Sequence, residues 1–172
     1  SFTALHFDYY NCMTTRGEDA PAKVHPDKLY VQGTGRTNRT QFVPYSATDL
    51  KNYRREWDNM CTAMDGIFAW IEDSLQKNCP QQFEEIRMYT EMLPSRISSP
   101  VYPFAGFVLN FNVATRIHRD HQDEITGCGI LIVGNHKGGE LCLVEPGVVI
   151  EARNGDFIFF LSRQISHFNL HY

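Results

Sequence analysis

The sequence has no paired cysteines. Its five, Cys12, Cys61, Cys79, Cys128 and Cys142, are scattered, odd in number and never spaced as C-x-x-C. That argues against a zinc ribbon and against a disulfide framework, and leaves small buried thiols. No apolar run approaches the ~20 residues that cross a bilayer, so no membrane association is expected. No signal peptide is visible either, and a soluble intracellular protein is the default expectation. Positive charge is scarce: the formal net charge is −4 and the pI about 5.9, whereas a nucleic-acid binder is usually basic. Internal repeats and low-complexity segments are lacking too.

What is present fits one globular domain. The 172 residues are 42% apolar and 13% aromatic, enough to bury a sizeable core. We read residues 1–172 as a single domain with three regions: a loop and strand region at 1–45, helices at 46–94 and strands at 104–172. Charge is unevenly placed. Lys23, Lys28, Arg36 and Arg39 are opposed only by Asp27 over their span, while Glu72, Asp73, Glu84, Glu85 and Glu91 make the middle acidic.

Residues 1–45 show no sustained period. Pro21, Pro26, Gly33, Gly35 and Pro44 break them up, and "GTGRTNRT" reads as a loop. Phe2, Leu5, Phe7, Tyr9 and Tyr10 suggest a short strand at the start. A helix follows, with Ser46 or Thr48 as its expected cap. Tyr53, Trp57, Met60, Met64, Ile67, Ile71 and Leu75 recur at steps of three and four, one face of a helix that runs to about Asn78. Pro80 suits the first turn of a second helix, with Phe83, Ile86 and Met88 or Tyr89 on its apolar side and Pro94 as its stop. Both stripes read as core.

After Pro103 the period changes to that of strands. "FAGFVLNFNVAT" alternates, and "CGILIV", "GELCLVE", "GVVIEA", "FIFFLS" and "FNLHY" follow. Lys137-Gly138-Gly139, Pro146-Gly147 and Asn154-Gly155 separate them, and Asn-Gly is a strong hairpin signal. Helices first and short strands after predict an α+β protein whose strands form a sandwich or barrel.

The chemistry concentrates in "TRIHRDHQDE", residues 115–124, which contains His-x-Asp twice: His118–Asp120 and His121–Asp123. Residues two apart on a strand share a face, so either pair can reach one ion. Phe107, Leu109, Phe111 and Val113 lie on one phase of the preceding strand. Asn110, Asn112, Ala114, Arg116 and His118 lie on the other. Continued alternation favours His118 and Asp120, and a bulge between Ala114 and Ile117 would undo that argument. A third ligand has to come from a distant segment, with His136, His167 and His171 as candidates. Two histidines and one carboxylate on one face, with open positions opposite, form the facial triad of non-haem Fe(II) oxygenases. Other divalent ions fit the same ligands.

The run "HRD", "GGELCL" and "NGDFIFFLSRQISHFN" resembles the Fe(II)- and 2-oxoglutarate-dependent oxygenases over roughly residues 104–172. The longer phrase "GFVLNFNVATRIHRD…GGELCLVEPG…RNGDFIFF…SHFNLHY" resembles the fungal branch of the TET/JBP-type nucleic-acid oxygenases. The resemblance implies a double-stranded β-helix, or jelly-roll, core with the N-terminal helices packed on it. It implies Fe(II) held by His118, Asp120 and His167, with 2-oxoglutarate and O2 as cosubstrates. Asn110, Asn112 and Arg116 are the candidates to contact 2-oxoglutarate. Gly138-Gly139 and Gly155-Asp156 match structural turns of the family.

The implied activity is oxidation of a C–H bond, foremost the methyl group of a modified base such as 5-methylcytosine in DNA. DNA containing methylated bases is then the partner, and the nucleus the location. A base in a duplex must be flipped out of the stack, and Lys23, Lys28, Arg36 and Arg39 are candidates to hold phosphates, a solvated loop being the plainer reading. Arg119 either points toward substrate or pairs with an acidic neighbour.

One departure stands out. The family carries an arginine beyond the distal histidine that grips the far carboxylate of 2-oxoglutarate. Residues 168–172 contain none. Truncation at the C-terminus is the expected reason. Arg116 is the possible substitute, and Arg153 and Arg163 read as surface residues. The competing functions are a 2-oxoglutarate oxygenase of a protein side chain or small metabolite, and a non-catalytic, degenerate barrel used for binding. The sequence does not give an oligomeric state.

Overall fold

A computed structural model describes residues 3–10, 45–91, 99–120 and 127–171. The basic stretch Lys23 to Arg39, the His121–Asp123 pair, Cys12 and Pro94 lie outside the described residues. Described elements follow the expected order of strand, helices and then strands. They fall into two compact units, Leu5–Leu109 and Asn110–Tyr172 with Ser1–Ala4. Strand β1 is Thr3–Phe7, β2 is Tyr9–Tyr10, β3 is Tyr45–Ser46 and β4 is Phe107–Phe111. β1 pairs with β4, and β2 pairs antiparallel with β3.

The first helical segment, α1, spans Thr48–Asn52, and α2 spans Arg54–Asn78. The sequence predicts one continuous helix here. Instead Tyr53 sits at φ −117° and ψ 42°, off the helical values, so the helix bends. Hydrogen bonds from the Tyr53 N–H to Asp49 and from the Trp57 N–H to Tyr53 keep the i to i−4 ladder running through the bend. The expected cap is also wrong. Ala47 occupies the capping position and no side chain caps the helix. Asp49 is used otherwise, since its carboxylate accepts the His6 N–H at 3.0 Å and ties α1 to β1.

The buried face of α2 follows Phe68, Ile71 and Leu75, with Trp57, Met60 and Met64 half-buried. Ile67, read as core, is 40% exposed, and Phe68 takes its place. A period of 3.6 drifts against alternating steps of three and four, and one position of drift makes that exchange. Helix α3, Pro80–Glu91, begins at its proline as expected and buries Phe83, Ile86 and Thr90. Met88 and Tyr89 are exposed. Thr90 closes the stripe, and its hydroxyl donates to the Pro103 carbonyl, so the buried oxygen is satisfied. Phe107 joins the pieces of this unit. Its ring lies 5.5 Å from Phe7 of β1 and 5.5 Å from Phe68 of α2.

The second unit is made of short strands: β5 Cys128–Leu131, β6 Leu141–Leu143, β7 Val148–Ile150, β8 Phe157–Phe160 and β9 His167–Asn169. All described pairings are antiparallel. β5 pairs with β8, and β6 lies between β7 and β9. Outside the strands, His118 and His167 form an isolated bridge. Leu141, Leu143 and Phe160 form the core of this unit, with Ile130, Ile150, Ile158 and Ile165 packed against it. Being central in its sheet, β6 buries all three of its residues.

Pro146-Gly147 makes the β6–β7 hairpin, with Gly147 at φ 66° and its N–H bonded to the Val144 carbonyl. Asn154-Gly155 also makes a turn, closed by the Asp156 N–H on the Arg153 carbonyl at 2.9 Å. It is no hairpin between its flanking strands, because β7 and β8 belong to different sheets. The turn docks instead on the end of β5, through the Gly155 N–H to Ile132 and the Ile132 N–H to Asp156. Among the described residues the protein is therefore mixed helix and small antiparallel sheets, with no closed barrel. No described helix is long and apolar enough to cross a membrane. Cys61, Cys79, Cys128 and Cys142 are not in disulfides.

Candidate metal centre

Alternation along β4 does not carry through to His118. The strand ends at Phe111, and Asn112 takes φ 51°, a left-handed conformation that breaks the period of two. What fixes His118 is long-range pairing. Its N–H donates to the His167 carbonyl at 3.1 Å and the His167 N–H donates back at 2.9 Å. Two residues on, the Asp120 N–H donates to the Ser162 carbonyl at 3.2 Å. The two histidine side chains stand side by side, with ring centroids 4.3 Å apart.

Each ring is oriented in the same way. His118 Nδ1 lies 2.7 Å from the Arg116 carbonyl and His167 Nδ1 lies 3.0 Å from the Ile165 carbonyl. A carbonyl only accepts, so each Nδ1 must carry the proton and donate it. In the neutral form of each ring Nε2 is then the nitrogen left to accept, the form a metal takes. Both Nε2 atoms face Asp120: His118 at 3.4 Å from Oδ1 and His167 at 3.5 Å from Oδ2. The donor atoms of all three residues lie within 4.8 Å of one another.

Both Nε2–carboxylate separations are longer than a normal hydrogen bond. A charge-assisted N–H···O bond is about 2.7–2.9 Å long, well inside what is observed. Metal–donor bonds of about 2.1 Å at right angles put donors about 3 Å apart, so a bound ion would draw the three side chains slightly closer. Three donor atoms that converge within 4.8 Å and include one carboxylate could hold a cation between them. The donor set of two nitrogens and one carboxylate suits Fe(II) and other first-row divalent ions.

The surroundings differ from side to side. The side chain of His167 is 7% exposed, while those of His118 and Asp120 are 38% and 31% exposed. Phe160 packs edge-on against the His167 ring at 5.0 Å. One flank of the centre is thus walled by core and the other is open.

Other sequence candidates fall elsewhere. His136 turns its Nε2 to the Ala152 carbonyl at 3.0 Å, and His171 is exposed. Asn110 and Asn112 are exposed, and Arg116 enters the site through its carbonyl, its side chain being exposed. Arg153 and Arg163 are exposed. Gly138 and Gly139, at φ 78° and 76°, form a bend whose Gly139 N–H meets the His171 carbonyl.

Sequence reasoning missed Glu145. Arg119, between the two ligands, pairs with it at 2.5 Å. Glu145 also accepts the Ser166 N–H and hydroxyl, each at 2.6 Å. The Ser166 hydroxyl foremost, then Arg119, holds its carboxyl down at about 2. A carboxyl depressed from 4.5 contributes stability that is fully present above about 4.5 and is lost as pH falls toward 2. The gap in melting temperature between wild type and Glu145→Gln is therefore expected to be constant from pH 7 to 5 and to shrink below. A gap independent of pH down to 2 would contradict this.

No family model, curated protein or solved structure matches the chain.

Proposed function

We propose that the protein is an Fe(II)- and 2-oxoglutarate-dependent dioxygenase that hydroxylates a C–H bond, most specifically the methyl group of a modified base in DNA. The observation that carries this is the convergence of His118 Nε2, His167 Nε2 and Asp120 on one point. An ion held there would supply the oxidative chemistry by which O2 and 2-oxoglutarate give CO2, succinate and a hydroxylated C–H bond. His118, His167 and Asp120 would hold the ion. The Arg116 and Ile165 carbonyls fix the two rings, and Phe160 keeps water from the inner side. The exposed flank leaves room for cosubstrate and substrate.

Strand pairing supports a jelly-roll core. His118 with His167, β5 with β8 and β6 with β7 form nested antiparallel pairs, each inside the last. A long two-armed ribbon rolled so that β6 also meets β9 has the connectivity of a double-stranded β-helix. The DNA substrate and the nuclear setting rest on the TET/JBP resemblance.

The test is incubation with Fe(II), 2-oxoglutarate, O2 and methylated duplex DNA, followed by mass spectrometry of nucleosides and succinate. Oxidised methyl groups with matching succinate are expected. Succinate without oxidised base would move the substrate to a protein or metabolite. Neither product, in protein shown to hold iron, would contradict the oxygenase reading.

A further inference from the structure

Consecutive residues of extended chain point to opposite sides. His118 and Asp120 face the metal centre, so Arg119 faces away from it, and Ser166, next to His167, does the same. Behind the centre these two meet Glu145, at the start of the β6–β7 turn. Glu145 Oε1 accepts from Arg119 Nη2 at 2.5 Å and from the Ser166 hydroxyl at 2.6 Å, and Oε2 accepts the Ser166 N–H at 2.6 Å. Arg119 Nε closes the ring by donating to the Ser166 hydroxyl at 2.9 Å. The Ser166 carbonyl accepts the Val144 N–H at 2.9 Å, so both backbone groups of Ser166 are held by one side of the hairpin.

We infer that Glu145 is a positioning residue that clamps the two ligand-bearing segments together from behind, setting the His118–His167 separation before any ion arrives. The inference rests on the metal-site reading for its purpose, though not for its geometry. A single exposed ion pair does little. Here one carboxylate takes three bonds from two segments that each adjoin a ligand, and a fourth bond, from Arg119 to Ser166, joins those two segments directly. The backbone bridge between His118 and His167 is one residue pair wide and is flanked by single bonds from Asp120 to Ser162 and from Thr115 to Asn169, so the clamp adds the tie nearest both rings on their far side. Removing a partner bonded directly to a ligand lowers metal affinity by about 10–100-fold, and Glu145 acts one residue further out, so a loss at the lower end of that range is expected.

The test compares wild type with Glu145→Ala, and with Arg119→Ala as a second variant that leaves the hairpin residue in place. In metal-free protein, NMR cross-relaxation between the His118 and His167 ring protons is expected in wild type and is expected to fall several-fold in both variants. In a Co(II) titration the dissociation constant is expected to rise about 10-fold, with the visible Co(II) spectrum altered, and Glu145→Gln is expected to recover part of the loss. Unchanged ring contacts and unchanged Co(II) affinity in folded Glu145→Ala and Arg119→Ala would overturn the clamp. Failure of wild type to take up Co(II) would overturn the metal-site reading instead, and the ring contacts would still decide the clamp.

Discussion

Asp120→Ala is expected to abolish turnover and to lower divalent metal affinity by more than the ~10–100-fold typical of outer partners. Asp120 supplies the only negative charge among the three converging ligands and faces both Nε2 atoms. Without it two neutral imidazoles remain, which hold an ion weakly. A second readout needs no substrate. At a metal concentration near 100 times the dissociation constant, binding adds about 2.7 kcal/mol to wild-type stability. For a chain of this size that is roughly 5–10 °C in melting temperature. Asp120→Ala is expected to show no metal-dependent rise, and His118→Ala and His167→Ala to behave alike. A full metal-dependent rise and full activity in all three variants would remove the proposal.

Phe160→Ala is expected to be the most damaging change behind the site. Phe160 is 7% exposed, belongs to the core with Leu141 and Leu143, and pairs with Cys128 across β5 and β8. Truncating a buried phenylalanine costs about 3–5 kcal/mol, through lost transfer free energy and the cavity left behind. The cavity would open beside His167, whose ring Phe160 meets at 5.0 Å. Metal affinity should therefore fall together with stability, and Phe160→Leu should lie between. Denaturant unfolding and Co(II) titration of the same samples check this. A loss of stability with wild-type metal affinity would show that the ring does not depend on this wall.

Much of this was legible in sequence for plain physical reasons. Strands β5–β8 fall within the apolar runs marked off by Gly138-Gly139, Pro146-Gly147 and Asn154-Gly155, and β9 overlaps the last run but begins one residue before it, because strands and turns are local. The helices were legible from spacing, though the drift from Ile67 to Phe68 was not, since it depends on which face meets Phe107. The pair His118 and Asp120 was chosen on alternation from β4, and Asn112 at φ 51° breaks that alternation. Those side chains converge because His118 bridges to His167, a contact between remote segments that local period does not encode. The Asn154-Gly155 turn was visible, but its docking on β5 was not, for the same reason. Glu145 left no signal beyond a charge after an apolar strand, next to Pro146-Gly147. Its role exists only once Arg119 and Ser166 are brought beside it.

Crystals soaked with Fe(II) under anaerobic conditions and measured at the iron absorption edge test the central claim most directly. The account predicts one anomalous peak, roughly 2.0–2.3 Å from His118 Nε2, His167 Nε2 and an Asp120 oxygen. An empty site at saturating iron, or a peak held by other residues, would contradict it.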